Sequence, residues 1–224
     1  MKRILFGVLL GATASLAVLA AQNPGPAAAR PDPNSVRMVG DRFTPLTYAE
    51  MTAPQKKMFE NLISGERRGA SGPFNVLLRS PEMGDLAQQF GASMRYHSSI
   101  PPKLNELAII LTARHWTSHY EWYAHKRAAL AAGLNQSIVD AVAAGTRPAS
   151  MAPDEQAVYD FVSELLATKQ VSDATFKAAK DTFGERGVVD LIGVSGYYQV
   201  VSMLLNVDRY PLPEGTAPEL KPLR

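Results

Sequence analysis

Apolar residues along this chain recur at helical spacing and almost nowhere alternate. Met58, Phe59, Leu62 and Ile63 share one helical face. The preceding Thr52-Ala-Pro-Gln55 supplies an N-cap threonine, a proline tolerated in the first turn and a glutamine able to close a capping box, so a helix is predicted to start there and fade near Gly65. Ser80-Pro81-Glu82 opens a second helix through Leu86, Phe90 and Met94, which Pro101 and Pro102 stop. From Lys103, Leu104, Leu107, Ala108 and Leu111 form an inward stripe, and Trp116 to Ala132 continues as an alanine-rich helix ended by Gly133. Asn135 caps a short segment carrying Ile138, Val139 and Val142 and closed by Gly145. Pro153 to Thr168 places Val158, Phe161, Val162 and Leu165 at helical spacing, and Ser172-Asp173 caps a further helix reaching Phe183. The last apolar block, Val188 to Val207, is rich in Val and Ile and contains Gly193 and Gly196, but its length favours a buried helix over a strand. With no alternating run and no repeated Asn-Gly hairpin signal, the pattern predicts an all-α fold in a single domain.

The flanks differ in kind. Residues 1–21 combine Lys2 and Arg3 with an apolar run from Ile4 to Ala20 and small residues at Ala20-Ala21, the pattern of a signal peptide cleaved near that point; an uncleaved N-terminal anchor is the alternative. Residues 22–45 carry Pro24, Pro26, Pro31, Pro33 and Pro45 among small residues and read as a linker or surface arm. Pro211, Pro213, Pro218 and Pro222 mark residues 211–224 as a proline-rich tail, leaving residues 46–210 as the helical domain. The expected location is periplasmic or secreted, with no membrane attachment after leader cleavage.

At 46% hydrophobic residues in 224, the chain can bury one substantial core. Its 23 basic and 21 acidic residues form no block of like charge, which argues against a nucleic-acid or polybasic membrane surface. The absence of cysteine removes disulfides, thiol chemistry and a lipid-anchored N-terminal cysteine, so stability must come from packing and oligomerisation.

Candidate chemistry gathers between Glu106 and His125, a stretch holding three of the four histidines and both tryptophans. On one helix Ser118, Glu121 and His125 would project from the same face. A carboxylate one turn from an imidazole orients it, fixes its tautomer and raises its pKa, as a general acid/base requires; the same spacing also suits an exposed surface ion pair. His115 and His119 are likewise four apart, the minimum helical chelate for zinc, but Trp116 stands where the zinc motif has glutamate and no third ligand is evident, so no metal and no cofactor are expected. Trp116, Tyr120, Trp122 and Tyr123 suit core and interface packing, or the wall of a small-molecule pocket.

Glu106, Ser118, Glu121 and His125, with eleven, two and three residues between them, resemble the signature of the carboxymuconolactone decarboxylase family, which includes the alkylhydroperoxidase D-like proteins. Gly72-Pro-Phe-Asn75, Ser80-Pro-Glu82 and Pro102-Lys-Leu-Asn-Glu106 resemble further phrases of that family, and the likeness spans Thr44 to Val207. In the family's redox branch a CxxC pair occupies the positions of Ser118 and Glu121, so hydroperoxide reduction by thiols is not open to this chain. The resemblance implies an alkylhydroperoxidase D-like helical bundle, homo-oligomeric as a trimer or hexamer, acting on a small-molecule substrate. The cysteine-less branch implies decarboxylation of a carboxylated lactone, which needs an anion-stabilising donor and a proton source.

On that basis His125 is expected to be the acid/base, Glu121 or Glu106 its orienting partner or proton relay, and Ser118 or His119 polar contributors to the pocket. Arg68 and Arg114 are the candidate carboxylate-binding cations, with Tyr96 and His97 facing the same cavity. Export points away from cytoplasmic muconolactone breakdown and toward another lactone, carboxylate or quinone-like compound. The alternatives are a non-catalytic oligomeric small-molecule binder that kept the bundle and lost the redox pair, and a protein of the family's peroxidase type without its cysteines, whose hydroperoxide reduction would require chemistry from outside this chain.

Overall fold

The computed structural model describes residues 30–222. The expected signal peptide and the first part of the linker lie outside these residues. After a 3-10 turn at Tyr48–Glu50 come α1 (Ala53–Ser64), α2 (Phe74–Leu77), α3 (Pro81–Tyr96), α4 (Pro102–His115), α5 (His119–Ala131), α6 (Gln136–Ala144), α7 (Pro153–Thr168) and α8 (Asp173–Asp208). The described residues contain no strand, so the fold is all-α as the spacing predicts.

Local chemistry sets most boundaries. Gln55 accepts the Thr52 N–H at 2.9 Å at the start of α1, Asn135 accepts the Ser137 N–H at 2.9 Å at the start of α6, and Ser172 accepts the Thr175 N–H at 3.3 Å at the start of α8. α4 is the central element. Every residue from Leu104 to Arg114 is buried, and the helix packs against α5, α7 and α8. Burying Leu107, Ile109 and Ile110 contributes about 1.5–3 kcal/mol each. A second apolar cluster holds Met58, Phe59, Leu62 and Ile63 of α1 with Phe74 and Leu77 of α2, and α3 joins the two by packing on α1, α2 and α8.

Four features depart from the pattern. The helix expected from Trp116 begins only at His119, because Thr117 takes a left-handed φ of 47° and separates α4 from α5. The helices expected on either side of Phe183 run together as α8, broken in direction at Gly184, whose φ of 70° and ψ of 178° suit a residue without a Cβ. α3 turns Gly84, Gln88 and Gly91 inward and leaves Leu86 71% and Phe90 46% exposed. Finally, the packed region extends past residues 46–210. Met38 is buried, Asp208 accepts the Asp41 and Phe43 N–H groups at 3.3 and 2.8 Å, Leu220 is buried, and Glu219 pairs with Lys126 at 2.6 Å.

Candidate active site

Packing α4 on α5 sets an acid from one helix against an acid and a base from the other. His125 Nδ1 donates to Glu106 Oε2 at 2.6 Å, while Nε2 lies 3.0 Å from Glu121 Oε1 in an ion-pair contact not aligned as a hydrogen bond. Glu121 and His125 are each 4% exposed, which excludes a solvated surface pair. Burial by itself would depress the imidazolium, but the charge of Glu121, the hydrogen bond to Glu106 and the remaining carboxylate interactions outweigh it and raise the His125 pKa to about 9. At neutral pH His125 is therefore a proton donor held between two carboxylates.

The imidazole and Glu121 form part of the wall of a cavity of about 260 Å³. Arg67 lines it from the loop after α1, Arg95 and Tyr96 from the last turn of α3, and Tyr197 and Tyr198 from α8. The Tyr198 ring meets His125 edge-on at 4.9 Å between centroids, and Tyr197 stands edge-on to Tyr198 at 5.2 Å. Burial, ahead of the neighbouring charges, pushes both phenols above their ordinary pKa, so each remains a neutral O–H donor. Among the described residues neither hydroxyl has a hydrogen-bond partner, and Arg67 Nε and Nη2 are also buried without one. The Arg67 guanidinium lies over the Phe74 and Tyr96 rings at 5.2 and 5.9 Å. Burial opposes the charge of Arg95, and Tyr198, Tyr96, Glu106 and Glu121 outweigh that effect. Unpaired guanidinium and phenol donors beside an imidazolium make a cavity suited to an oxyanion.

The expected site residues divide. Glu106, Glu121 and His125 come together, with Glu106 behind the imidazole and not lining the cavity; Tyr96 lines it. Ser118 is not on the helical face with Glu121. It occupies the N-cap of α5, fully buried with its hydroxyl unpartnered, and with His119 borders a different hollow beside Leu205 and Tyr210. Arg68 does not line the cavity, a place its neighbour Arg67 takes. Arg114 lines a separate cavity, and His97 is an exposed partner of Glu66 at 2.7 Å. His115 ends one helix and His119 starts the next, so they are not an i, i+4 pair on one helix; among the described residues no three His, Cys, Asp or Glu side chains are grouped to hold a metal.

Sequence spacing missed Arg67, Arg95, Tyr197 and Tyr198. The one signal in the sequence is the adjacency of Arg95 to Tyr96, itself a candidate for the cavity. No family model and no curated protein matches this chain.

Proposed function

We propose that this protein is a thiol-free acid/base enzyme of the carboxymuconolactone decarboxylase type, removing carbon dioxide from a small carboxylated lactone-like substrate. The observation that carries this reading is the buried imidazolium of His125, clamped by Glu106 and Glu121 at the wall of a cavity with unpaired arginine and tyrosine donors. The substrate carboxylate and its carbonyl face Arg67, Arg95 and the phenols. The C–CO₂⁻ bond breaks, carbon dioxide leaves, and the electron pair delocalises onto the carbonyl oxygen as an enolate stabilised by those donors. The enolate carbon then takes the Nε2 proton of His125. Neutral imidazole remains, bonded through Nδ1–H to Glu106, and solvent restores the lost proton. Glu121, beside Nε2, positions the ring.

We also propose a homo-oligomer. The support is the exposed apolar set Met83, Leu86 and Phe90 on α3 with Val189, Ile192 and Met203 on α8.

The test is carbon dioxide release from a panel of carboxylated lactones and vinylogous keto acids. Wild-type turnover is expected to fall as pH rises through about 9, where the imidazolium is lost, and His125→Ala to reduce kcat by roughly 10²–10⁴-fold. Undiminished turnover in both His125→Ala and Glu121→Gln would sink the assignment. Saturable binding with no release across the panel would establish the binder instead.

A further inference from the structure

A second cavity of about 230 Å³ opens where α4, α6 and α7 meet, and it shares no lining residue with the first. Leu111, Val142 and Leu166 give it apolar walls, Ser163 a hydroxyl, and the last turn of α4 contributes Arg114 and His115. Arg114 is only 5% exposed. Among the described residues its Nε has no partner, and the one side-chain hydrogen bond is a long one, 3.4 Å, to the Thr117 hydroxyl.

No carboxylate among the described residues pairs with this guanidinium. Asp160 on α7 is paired with Arg147, and Glu164 accepts the Ser172 N–H at 2.9 Å. A further basic group stands near the cavity: Lys169 lies near enough to His115 to act with burial in lowering its pKa, and its Nζ donates to the Leu166 carbonyl at 2.6 Å. Burial lowers the Arg114 pKa, and no acid among the described residues opposes it.

A buried ion is ordinarily compensated by an opposite charge, because removing it from water is otherwise expensive. The partial negative charge at the C-terminus of α4 offsets part of that cost. It does not supply the paired oxygens that a guanidinium fork accommodates. An anion from outside would do so, and the apolar walls select one with a compact hydrocarbon body over a bare inorganic ion. We infer that this cavity is a second binding site, independent of the His125 cavity, for a small apolar monocarboxylate whose carboxylate pairs with Arg114 while its body lies against Leu111, Val142 and Leu166.

Benzoate is a suitable probe, and benzamide its neutral counterpart of nearly equal shape. Each would be titrated into the full-length protein while the His115 imidazole C2–H resonance is followed by NMR, assigned with His115→Gln. Benzoate is expected to shift this resonance saturably, and benzamide to bind at least tenfold more weakly. Arg114→Met should weaken benzoate at least tenfold, whereas Arg67→Gln in the other cavity should leave the His115 response unchanged. The benzamide comparison keeps the test decisive if Arg114→Met does not fold. Equal affinities for the two probes, or a His115 signal indifferent to benzoate, would overturn the inference. So would loss of an oligomer in Arg114→Met with no benzoate binding to wild type, an outcome that assigns the guanidinium to a carboxylate of a second copy.

Discussion

The two cavities treat a buried cation in opposite ways. In the first, His125 has a carboxylate at each ring nitrogen, at 2.6 and 3.0 Å, and its positive charge is stabilised so strongly that its pKa rises to about 9. In the second, Arg114 is 5% exposed and has only a hydroxyl at 3.4 Å and, among the described residues, no acid. A titratable group needs its partners to decide which protonation state is present, whereas guanidinium stays charged in either setting. The first cavity is thus equipped to hold and deliver a proton, and the second to hold a charge.

Removing the cation tests that contrast most severely in the first cavity. His125→Ala leaves Glu106 and Glu121 buried without the charge that contacts both, and urea unfolding at pH 7 is expected to show a loss of about 3–5 kcal/mol. A loss under 1 kcal/mol would mean that the carboxylates do not depend on the imidazolium.

The pH dependence sharpens the same point. The folded pKa of His125, about 9, is raised above its ordinary 6.5. Its stabilisation is therefore fully present below about pH 6.5 and is lost as pH rises through about 9. The change is on the order of 3 kcal/mol. Denaturation midpoints measured between pH 6 and 10 should fall over that window in wild type and fall less in His125→Gln. Arg114 does not titrate there, so Arg114→Met should retain the wild-type slope.

A smaller effect is expected where the first cavity meets the packing of α3. A Cβ added at Gly91 would come within 2.1–2.6 Å of the Tyr197 ring, so Gly91→Ala must displace a phenol that lines the cavity. It should cost about 1–3 kcal/mol by thermal unfolding and weaken ligand binding in the same variant. Unchanged stability would show that Tyr197 moves freely.

Gly91 also shows which parts of the molecule were legible in the sequence. Apolar period located the helices, and caps such as Thr52/Gln55 and Asn135 located several of their starts. The packing face of α3 was hidden, because close approach to Leu77, Met58 and Tyr197 is made at Gly84 and Gly91, which carry no apolar signal, while Leu86 and Phe90 point outward. Glu121 and His125 were readable because local spacing places them together. Glu106 joined them only through the spacing of a family-like motif, since its contact depends on how two helices pack. Thr117 has no residue-type signal for its left-handed backbone, so spacing alone places Ser118 on the face of a helix that has not yet begun. Nothing in the Arg67-Arg68 doublet distinguishes the arginine that lines the cavity from its neighbour, and Tyr197-Tyr198 in an apolar run is indistinguishable from ordinary core. Arginine chemistry marks Arg114 as a candidate anion binder, but residue type and spacing do not reveal that α4 directs it to a different cavity from His125.

The smallest effect reverses the sign of the first. Met has a comparable unbranched length to the arginine stem and no charge to desolvate, so Arg114→Met removes an uncompensated ion while keeping an apolar stem at the wall it shares with Leu111 and Leu166. Replacing buried charge by apolar side chains is often neutral or stabilising, and a gain of about 1 kcal/mol is expected without ligand. Benzoate should then narrow the difference, because ligand binding stabilises the wild-type fold by an amount that grows with its concentration over Kd, and the variant lacks the charge that receives it. Thermal unfolding of both proteins with and without saturating benzoate measures this directly. A variant less stable than wild type under both conditions would mean that Arg114 is already compensated within the folded chain, and the distinction between the two cavities would collapse.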